Sequence, residues 1–428
     1  MAQQSDLVAR RAKLLGAKSQ LFYANPIHLV RGEGVWLFDS DGRRYLDAYN
    51  NVAHVGHCHP HVVEAMHRQA SLLNTHTRYL HTTILDYVER LTATFAPPIS
   101  TAVLVCTGSE ANDIALRMAQ AVTGRLGVIA TDATYHGNTA AVSQLSTRMP
   151  PIGGQAQHIR LVPAPDSLRP GDGQEGERFA ADVREAIGSL QAAGIGMSAL
   201  IVCPMLANEG FPSLVNGFFD GAIEAVRLAG GLVIADEVQP GFGRTGTHFW
   251  GHQRVGFLPD IVTMGKPMGN GHPVAGVATS EAILASFREA FRYFNTFGGN
   301  PVSCAAANAV LDVLEGENLI DNAQRVGEAS LALMRPLTES HKCVGDIRGT
   351  GLFFGLELVR NRAIRDPAPD LATAVVDEMR ERGVLIGKTG IHGNVLKIRP
   401  PMPFGIENAT FLVGILDEVL ADLACEAL

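Results

Sequence analysis

The sequence of 428 residues lacks any pair of closely spaced cysteines. Its six cysteines are scattered along the chain as Cys58, Cys106, Cys203, Cys304, Cys343 and Cys425. Zinc sites and disulfide frameworks need cysteines at short, fixed spacings, so we expect neither a metal site nor a disulfide scaffold. Reduced thiols are the simple interpretation, and they predict a protein of the cytoplasm.

Other absences narrow the classes of function. No run of about 18 apolar residues occurs, so no membrane-spanning helix is expected. The first residues, MAQQSDLVARRAKLLG, carry charges inside their apolar stretches and lack the core of a signal peptide. The net charge is −8 and no Lys/Arg run is present, which argues against a nucleic-acid partner. No G-x-G-x-x-G opens a helix after an early strand, which disfavours a dinucleotide cofactor.

What is present is the composition of a well-packed protein, with 46% hydrophobic and 18% charged residues. Its length predicts two or more lobes. Short apolar strands alternate with helices in the middle of the chain, which predicts an α/β fold with a largely parallel sheet covered on both faces. The predicted strands are Ala102–Cys106, Leu126–Thr131, Ala199–Cys203, Leu232–Ala235, Ile261–Met264 and Val274–Thr279. The predicted helices are Glu110–Ala121, Phe179–Ala192 and Phe218–Ala229.

The two ends of the chain have a different pattern. An Asp41-Gly42 turn between two short apolar runs predicts a hairpin near the N-terminus, and residues 151–176, rich in Pro, Gly and Asp, predict a surface loop. The region after Pro301 predicts a smaller α+β lobe. Its predicted strands are Val344–Val359, Val384–Lys388 and Val395–Arg399, and its predicted helices are Val302–Glu315, Leu371–Glu381 and Ala409–Ala424. Near the N-terminus the hairpin strands are Val35–Phe38 and Arg44–Asp47, followed by helices at His61–Gln69 and Ile84–Phe95.

Ligands of open α/β sheets gather at the carboxyl ends of the strands, so the residues directly after each strand are the candidates for a site. Thr107-Gly108-Ser109 comes after the first strand and precedes a helix. Small residues at a helix N-terminus can cradle a phosphate, although Thr107 or Ser109 could equally be an ordinary N-cap. Tyr135 and His136 come after the second strand, where an aromatic ring could stack on a flat cofactor or simply pack.

An acidic and a basic residue lie at the ends of two further strands. Asp236 ends a buried strand, and its carboxylate needs a cationic partner there. The partner could be a pyridinium N–H, or Asp236 could instead pair with Arg244 or cap a turn. Lys266 lies between glycines after another apolar strand. It is either a desolvated nucleophilic amine or the snorkelling lysine of a turn. A phosphate cradle, an aromatic ring, a buried carboxylate and a buried amine are together what pyridoxal 5′-phosphate (PLP) requires.

Several motifs in one order resemble the class III (ω-type) aminotransferases of PLP fold type I, the aspartate aminotransferase-like fold. The resemblance runs from Gly34 to Pro401. It implies a large domain with a mostly parallel, seven-stranded sheet at 61–305, a small C-terminal α+β domain at 306–428, and an N-terminal segment at 1–60 that joins the small domain. The motifs are GHCHP (56–60), TGSEAND (107–113), YHG (135–137), DEVQPGFGRTG (236–246), MGKPMGNGHPVA (264–275) and NTFGGNP (295–301).

The resemblance implies a role for each matching residue. Lys266 and Asp236 would be catalytic: Lys266 holds the cofactor as a Schiff base and moves protons, and Asp236 pairs with the pyridine nitrogen. Thr296 would bind the cofactor phosphate of a second subunit, which implies a homodimer with shared active sites and leaves a tetramer open. The other implied cofactor contacts are Gly108 and Ser109 on the phosphate, Val238 on one ring face, Tyr135 or His136 near the other, and Gln239 on the phenolic oxygen.

Two departures from the family pattern concern the substrate. Many relatives have an Arg three residues before the Pro-Pro pair, where it clamps a carboxylate, and this chain has Lys397, with Arg399 two residues later. Relatives often have two Glu residues at the positions of Cys203 and Asn208. Loss of the Arg together with its acidic partner suggests a substrate without an α-carboxylate clamp.

The segments Asn50–His57, Thr77–His81, Tyr293–Gly299 and Lys397–Met402 resemble the PLP phospho-lyases of O-phosphoethanolamine and 5-phosphohydroxylysine. Their reaction gives an aldehyde, ammonia and phosphate, and it needs a cationic pocket. Candidates for that pocket are His54, Arg78 and Lys397, with Arg399 able to compensate at the clamp. Arg78 could instead form a surface or intersubunit salt bridge, and His54 could be a satisfied core histidine.

Two functions therefore stand at this point. The first is a lyase that eliminates phosphate from phosphoethanolamine or a related phosphorylated amino alcohol. The alternative is an aminotransferase that moves the amino group of an amine or ω-amino acid to a keto acid. A catalytically silent PLP-binding protein is disfavoured because Lys266, Asp236 and Gln239 occur together.

Overall fold

The structure is a computed structural model that describes residues 2–166 and 173–426. The strands of this part of the chain are β1 (Leu29–Glu33), β2 (Trp36–Asp39), β3 (Arg44–Asp47), β4 (Thr101–Val105), β5 (Gly127–Thr131), β6 (Ile159–Val162), β7 (Met197–Val202), β8 (Leu232–Asp236), β9 (Ile261–Met264), β10 (Ala275–Thr279), β11 (Val344–Thr350), β12 (Phe353–Asn361), β13 (Asp366–Pro367), β14 (Val384–Leu385), β15 (Gly387–Thr389) and β16 (Val395–Ile398). The α-helices are α1 (Ala2–Leu15), α2 (Pro60–Leu72), α3 (Thr82–Thr92), α4 (Gly108–Thr123), α5 (Glu175–Ala192), α6 (Asp220–Leu228), α7 (Gly251–Val255), α8 (Glu281–Ala290), α9 (Pro301–Gly316), α10 (Leu319–Met334), α11 (Leu337–Ser340), α12 (Pro369–Glu381) and α13 (Ile406–Glu426). Two short 3₁₀ helices span Val142–Leu145 and Lys266–Gly269.

A seven-stranded sheet in the order β4-β10-β9-β8-β7-β5-β6 forms the centre of the described chain. The strands from β9 to β6 pair in parallel, and β10 is antiparallel to both of its neighbours. Strand β7 is buried along its whole length, with Ala199 and Ile201 in one apolar core and Leu200 and Val202 in the other. A strand buried on both faces needs apolar residues at every position, which explains the uninterrupted apolar runs. The predicted α/β, fold type I architecture is confirmed.

The prediction of a loop over residues 151–176 was wrong in part. Ile159–Val162 form β6, which pairs in parallel with β5 at the edge of the sheet. Four strand residues among Pro, Gly and Asp carry too little local signal, and β6 is held by its partner strand and by the burial of Ile159 and Val162. Residues 167–172 of the predicted loop lie outside the described residues.

The smaller lobe also differs from its prediction in detail. The strand predicted over Val344–Val359 is two antiparallel strands, β11 and β12, joined by a turn at Gly351-Leu352. Helix α10 and strand β1 were not predicted at all. Strands β11, β12, β16 and β15 form a second sheet, and β13 pairs with β12.

N-terminal and C-terminal residues share a third sheet, in the order β1-β2-β3-β14. Strand β14 pairs in parallel with β3, with Val384 opposite Leu46. The division into an N-terminal segment, a large domain and a small domain with boundaries at 60 and 305 stays a prediction, and residue 305 lies inside α9. Over the described ranges, no helix combines the length and apolar character that crossing a bilayer requires.

Two buried tyrosines provide a test of the core packing. Tyr87 is fully buried, and its hydroxyl has no hydrogen-bond partner among the described residues, whereas the Tyr45 hydroxyl donates to Asp39 Oδ2 at 2.9 Å. An unpaired buried hydroxyl costs free energy, so Tyr87→Phe should leave the protein equally stable or more stable. Tyr45→Phe should lose about 1 kcal/mol.

Thermal unfolding of the two variants beside the unaltered protein checks this expectation. For a chain of this size, the loss at Tyr45 corresponds to a fall of about 1–2 °C in Tm. A larger fall for Tyr87→Phe than for Tyr45→Phe would contradict the assignment of the unpaired hydroxyl.

Candidate active site

A cavity of about 260 Å³ lies at the carboxyl edge of the large sheet, where β4, β5, β8 and β9 end. Most of the residues that the sequence predicted to bind the cofactor line this cavity. They are Gly108, Ser109, Tyr135, His136, Asp236, Val238, Gln239 and Lys266. They come from four separate loops, and these loops lie close together because the strands that precede them end at the same edge of one sheet.

The first turn of α4 forms one end of the cavity. Thr107 is the N-cap and accepts from Glu110 N at 3.1 Å, and Glu110 Oε2 in turn accepts from Thr107 N at 3.1 Å. The N–H groups of Gly108 and Ser109 have no acceptor inside the helix and are free for a ligand. A Cβ atom at position 108 would lie 3.0 Å from Val238 Cγ2, tighter than ordinary contact, so a larger residue there would have to displace the Val238 side chain. Thr107 therefore caps the helix, and Gly108 and Ser109 form a cradle of the kind that binds phosphate.

Asp236 ends β8 and is 5% exposed at the wall of the cavity. Its Oδ2 accepts from His136 Nδ1 at 2.6 Å and from Asn112 Nδ2 at 3.0 Å, and its Oδ1 accepts from Val238 N at 3.0 Å. Arg244 is not its partner. These three donors fix the carboxylate in one orientation and leave it able to accept one more donor from the cavity.

Lys266 follows β9 and opens a 3₁₀ turn with φ of 22°, a conformation that is strained for any residue with a side chain. Asn270 holds this turn in place, because its side chain donates to Gly56 O at 2.8 Å and accepts from Val55 N at 2.9 Å. Burial, and then the nearby charge of Arg399, lower the pKa of the Lys266 amine to about 8. The amine is thus closer to its neutral, nucleophilic form than an ordinary lysine.

A pair of buried cations stands behind Gln239. Lys397 Nζ donates to Gln239 Oε1 at 2.9 Å and to Asn208 Oδ1 at 3.3 Å, and Arg399 Nη1 donates to the same Gln239 oxygen. Lys397 and Arg399 are 6% and 4% exposed, and neither forms a salt bridge among the described residues. Burial, and then Arg399 and Lys266, hold the pKa of Lys397 well below its ordinary range. Neither Lys397 nor Arg399 is among the residues that line the cavity; Gln239, which both contact, lines it in front of them.

His54 does not belong to the cavity, and its prediction as a phosphate ligand was wrong. It is fully buried; one ring nitrogen contacts Phe242 O at 2.8 Å and the other contacts Arg244 Nη2 at 3.0 Å. Burial, and then Arg244, keep the pKa of His54 well below its ordinary value, so the ring is neutral. The alternative of a satisfied core histidine is correct, and His54 also serves as a partner of the buried Arg244.

Arg78 and Thr296 lie on the surface and do not line the cavity within one chain. Both are exposed, and the Arg78 guanidinium stacks over the Phe294 ring at 3.9 Å. The surface around them carries large exposed apolar side chains, with Tyr79, Leu80 and Phe297 exposed by 64%, 98% and 70%. One chain alone therefore does not bring these two residues to the site.

Several residues that line or brace the cavity were not predicted from the sequence. Asn112 lies one helical turn after Gly108, and that spacing could have placed it on the same face of α4. It accepts from Thr263 Oγ1 at 2.6 Å, so β9 orients the amide that holds Asp236. His272 lines the cavity and contacts Ser303 Oγ at 2.9 Å, and Val52 and Cys203 are also among the lining residues. For these last residues the chain offers no local signal.

The described residues fit PLP. The N-terminal turn of α4 supplies free N–H groups for a phosphate, Asp236 supplies a buried carboxylate for a ring N–H, and Lys266 supplies an amine of lowered pKa. Val238 packs closely against Gly108, so an apolar side chain borders the phosphate cradle.

The pKa of Lys266 can be tested through Arg399. Replacing Arg399 with Met removes a neighbouring positive charge that disfavours the ammonium form, so the pKa of Lys266 should rise above about 8. Arg399→Lys keeps the charge and should leave the pKa nearly unchanged. The measurement is the labelling rate of Lys266 by an amine-directed reagent in cofactor-free protein from pH 6 to 11, resolved by peptide mass spectrometry.

The exposed Lys388 on β15 is an internal reference in the same digests. A titration midpoint for Lys266 that stays the same or moves to lower pH in Arg399→Met would show that Arg399 does not act on the amine.

Comparison with known proteins gives one consistent assignment. The chain matches the class-III aminotransferase family over residues 20–420. It is 41% identical to an alanine–glyoxylate aminotransferase 2-like protein of Drosophila melanogaster, over 96% of this chain and 86% of that protein. It is 38% identical to ethanolamine-phosphate phospho-lyase homolog 1 of Caenorhabditis elegans, over 97% of this chain and 93% of that protein.

Among solved structures, a phospholyase from Arthrobacter in complex with phosphoethanolamine is similar, with a TM-score of 0.94 and 44% identity over 97% of this chain and 99% of that chain. A Bacillus anthracis aminotransferase has a TM-score of 0.89 at 27% identity, over 99% of each chain. The fold is PLP fold type I and the cofactor is pyridoxal 5′-phosphate. The chain belongs to the class-III aminotransferase family.

Proposed function

We propose that this enzyme is a PLP-dependent phospho-lyase that eliminates phosphate from O-phosphoethanolamine or a related phosphorylated amino alcohol. The observation that carries the proposal is the pair Lys397 and Arg399, two buried cations that share one neutral oxygen of Gln239 and have no carboxylate partner among the described residues. Buried cations need an anion. The similar structure from Arthrobacter holds phosphoethanolamine, which supplies such an anion.

The cofactor residues act as the geometry suggests. PLP, when bound, withdraws electrons from the carbon that bears the substrate nitrogen and so makes a proton on that carbon acidic. Gly108 and Ser109 would hold the cofactor phosphate, and Asp236 would keep the ring nitrogen protonated. Lys266 would hold the cofactor covalently before the substrate arrives and would then take the carbon-bound proton. The remaining contacts are Val238 on one ring face, Tyr135 near the other, His136 as the residue that orients Asp236, and Gln239 toward the phenolic oxygen.

The substrate end is built for phosphate. A phosphate oxygen is a stronger acceptor for Lys397 and Arg399 than the neutral carboxamide of Gln239. Asn208 stands where many relatives have an acidic residue, and an amide leaves the charge of Lys397 available to the substrate. Once phosphate has left, hydrolysis of the remaining fragment gives an aldehyde and ammonia.

We also propose a homodimer in which Thr296 of the partner subunit contacts the cofactor phosphate. Leu80 and Phe297 are 98% and 70% exposed, and a second copy that covers this surface would remove them from water. Arg78 lies on the same surface and reaches a substrate only across that interface. The unpaired cysteines among the described residues favour the cytoplasm as the compartment.

The second candidate is an aminotransferase, which the Drosophila relative's name favours. It would use the same cofactor residues and differ only in the fate of the substrate. The decisive assay supplies phosphoethanolamine to purified protein without a keto acid. Phosphate, ammonia and aldehyde should appear in equal amounts, and Lys266→Ala should abolish all three because the proton acceptor is gone.

The matched assay supplies pyruvate, 2-oxoglutarate or glyoxylate as amino acceptor. Amino transfer to a keto acid without phosphate release would reject the lyase in favour of the aminotransferase.

Shared active sites can be tested with hybrid dimers. Thr296→Glu places a negative charge against the cofactor phosphate and should weaken cofactor binding at least about 10-fold by like-charge repulsion. Lys266→Ala is inactive for a different reason. A hybrid of the two chains has one site with Lys266 and an unaltered partner threonine, so mixing two defective proteins should restore up to half of the activity per dimer.

The control mixture combines each variant only with itself, followed by the same denaturation and refolding. No gain of activity in verified hybrids would mean that Thr296 does not serve the partner's site.

A further inference from the structure

The proposed elimination has a chemical requirement that cofactor and Lys266 alone do not meet. Breaking the carbon–oxygen bond of a phosphate monoester dianion leaves the electron pair on the phosphate and would give the phosphate trianion. That ion is far too basic to leave unaided at neutral pH, so a proton must reach the departing oxygen as the bond breaks.

We propose that Lys397 is the general acid that gives this proton to the departing phosphate. The inference rests on the proposed function and assigns the chemistry of its leaving group. Arg399 then has the separate task of holding the phosphate.

The position of Lys397 supports this role. It lies on β16, opposite Gly355 on β12 and Gly387 on β15, so two flanking strands fix the backbone that presents it. Its ammonium donates to two neutral amide oxygens, Gln239 Oε1 at 2.9 Å and Asn208 Oδ1 at 3.3 Å. A phosphate that displaces the Gln239 carboxamide meets an ammonium without a competing carboxylate among the described residues.

The charges around Lys397 suit an acid that must release its proton. Burial lowers the pKa of Lys397 most, followed by the positive charges of Arg399 and Lys266; Cys203 acts in the opposite direction, and Arg148 lowers the pKa least. A phosphate dianion beside Lys397 favours the ammonium form, so Lys397 is protonated when the substrate is bound. The lowered pKa then makes it easier for Lys397 to donate that proton.

Arg399 cannot replace Lys397 in this step. Burial lowers the pKa of Arg399 to about 10, which leaves the guanidinium charged at neutral pH. A guanidinium group is planar and stays charged at neutral pH, so it binds phosphate well but does not readily donate a proton.

The step balances. The neutral amine of Lys266 takes the proton from the carbon that bears nitrogen, and the electrons of that bond form the new carbon–carbon double bond. The carbon–oxygen bond breaks with its electron pair on oxygen, and the Lys397 ammonium protonates that oxygen. Hydrogen phosphate leaves, and Lys397 takes its next proton from water.

The test compares two leaving groups in one enzyme. Sulfate is a weak base and leaves without a proton, so ethanolamine O-sulfate needs no general acid. Lys397→Met should lower kcat for phosphate release from phosphoethanolamine by at least about 100-fold and kcat for sulfate release by less than about 3-fold. Lys397→Arg should keep KM for phosphoethanolamine within about 3-fold and still lose kcat, because binding survives without the acid.

Lys388→Met is the matched control, since Lys388 is exposed on the neighbouring strand β15 and should leave both reactions unchanged. Equal losses with both esters in Lys397→Met, or an unchanged kcat in Lys397→Arg, would reduce Lys397 to an anion-binding residue and overturn the proposal.

A second measurement needs no turnover. Inorganic phosphate is titrated calorimetrically into the cofactor-loaded protein at pH 8.5, in two buffers that differ in ionisation enthalpy. Because burial and the neighbouring cations lower the pKa of Lys397 and a bound phosphate would raise it again, the unaltered protein should take up more protons per phosphate bound than Lys397→Met. Equal proton uptake would overturn the assignment. An unaltered enzyme that releases no phosphate from phosphoethanolamine would instead refute the proposed function, whichever way the proton uptake falls.

Discussion

The repulsion among buried positive charges governs this site. Lys266 lines a cavity whose lining includes one buried carboxylate, Asp236, and Lys397 and Arg399 lie behind Gln239, which lines the same cavity. Burial and mutual repulsion lower the pKa of both lysines, to about 8 for Lys266. Such an arrangement is unfavourable until anions arrive. The cofactor phosphate at α4 would be one such anion and, on our proposal, the substrate phosphate at Lys397 would be the other. The positive charges of the site would therefore be neutralised chiefly by bound ligands and not by carboxylates of the described residues.

The large sheet makes this arrangement possible because it is rigid and buried on both faces. Strands β8 and β9 are neighbours, with Asp236 opposite Thr263, so the carboxylate and the strand that leads to Lys266 are fixed by backbone hydrogen bonds. Side chains then refine the positions: Asn112 bridges Thr263 and Asp236, and Asn270 holds the strained turn at Lys266. Strain of this kind, on the order of 1–3 kcal/mol, persists only where the surroundings determine the backbone.

The strands of the large sheet and the residues that directly follow them could be predicted from the sequence, because apolar runs and strand ends are local signals. Helix α10 escaped prediction, since Gly327 weakens its helical pattern, and that glycine is needed because a Cβ would lie 2.2 Å from Gly351 O. His54 was misassigned because its partner Arg244 lies 190 residues away along the chain. The role of Asn208 was equally invisible, because it depends on contacts with Gln239 and Lys397.

The same physical picture accounts for relatives whose names divide between aminotransferase and phospho-lyase. Both reactions begin with removal of a proton from the carbon that bears nitrogen, and they diverge over what the neighbouring carbon carries. A substrate with a carboxylate could bind to Lys397 and Arg399 through that group. A carboxylate is not a leaving group, so no elimination follows, and the proton must return to the cofactor or the substrate. A phosphate ester in the same place offers a leaving oxygen next to a lysine. We therefore infer that the reaction is chosen at Lys397 and Arg399, and that the residues around the cofactor serve either outcome equally.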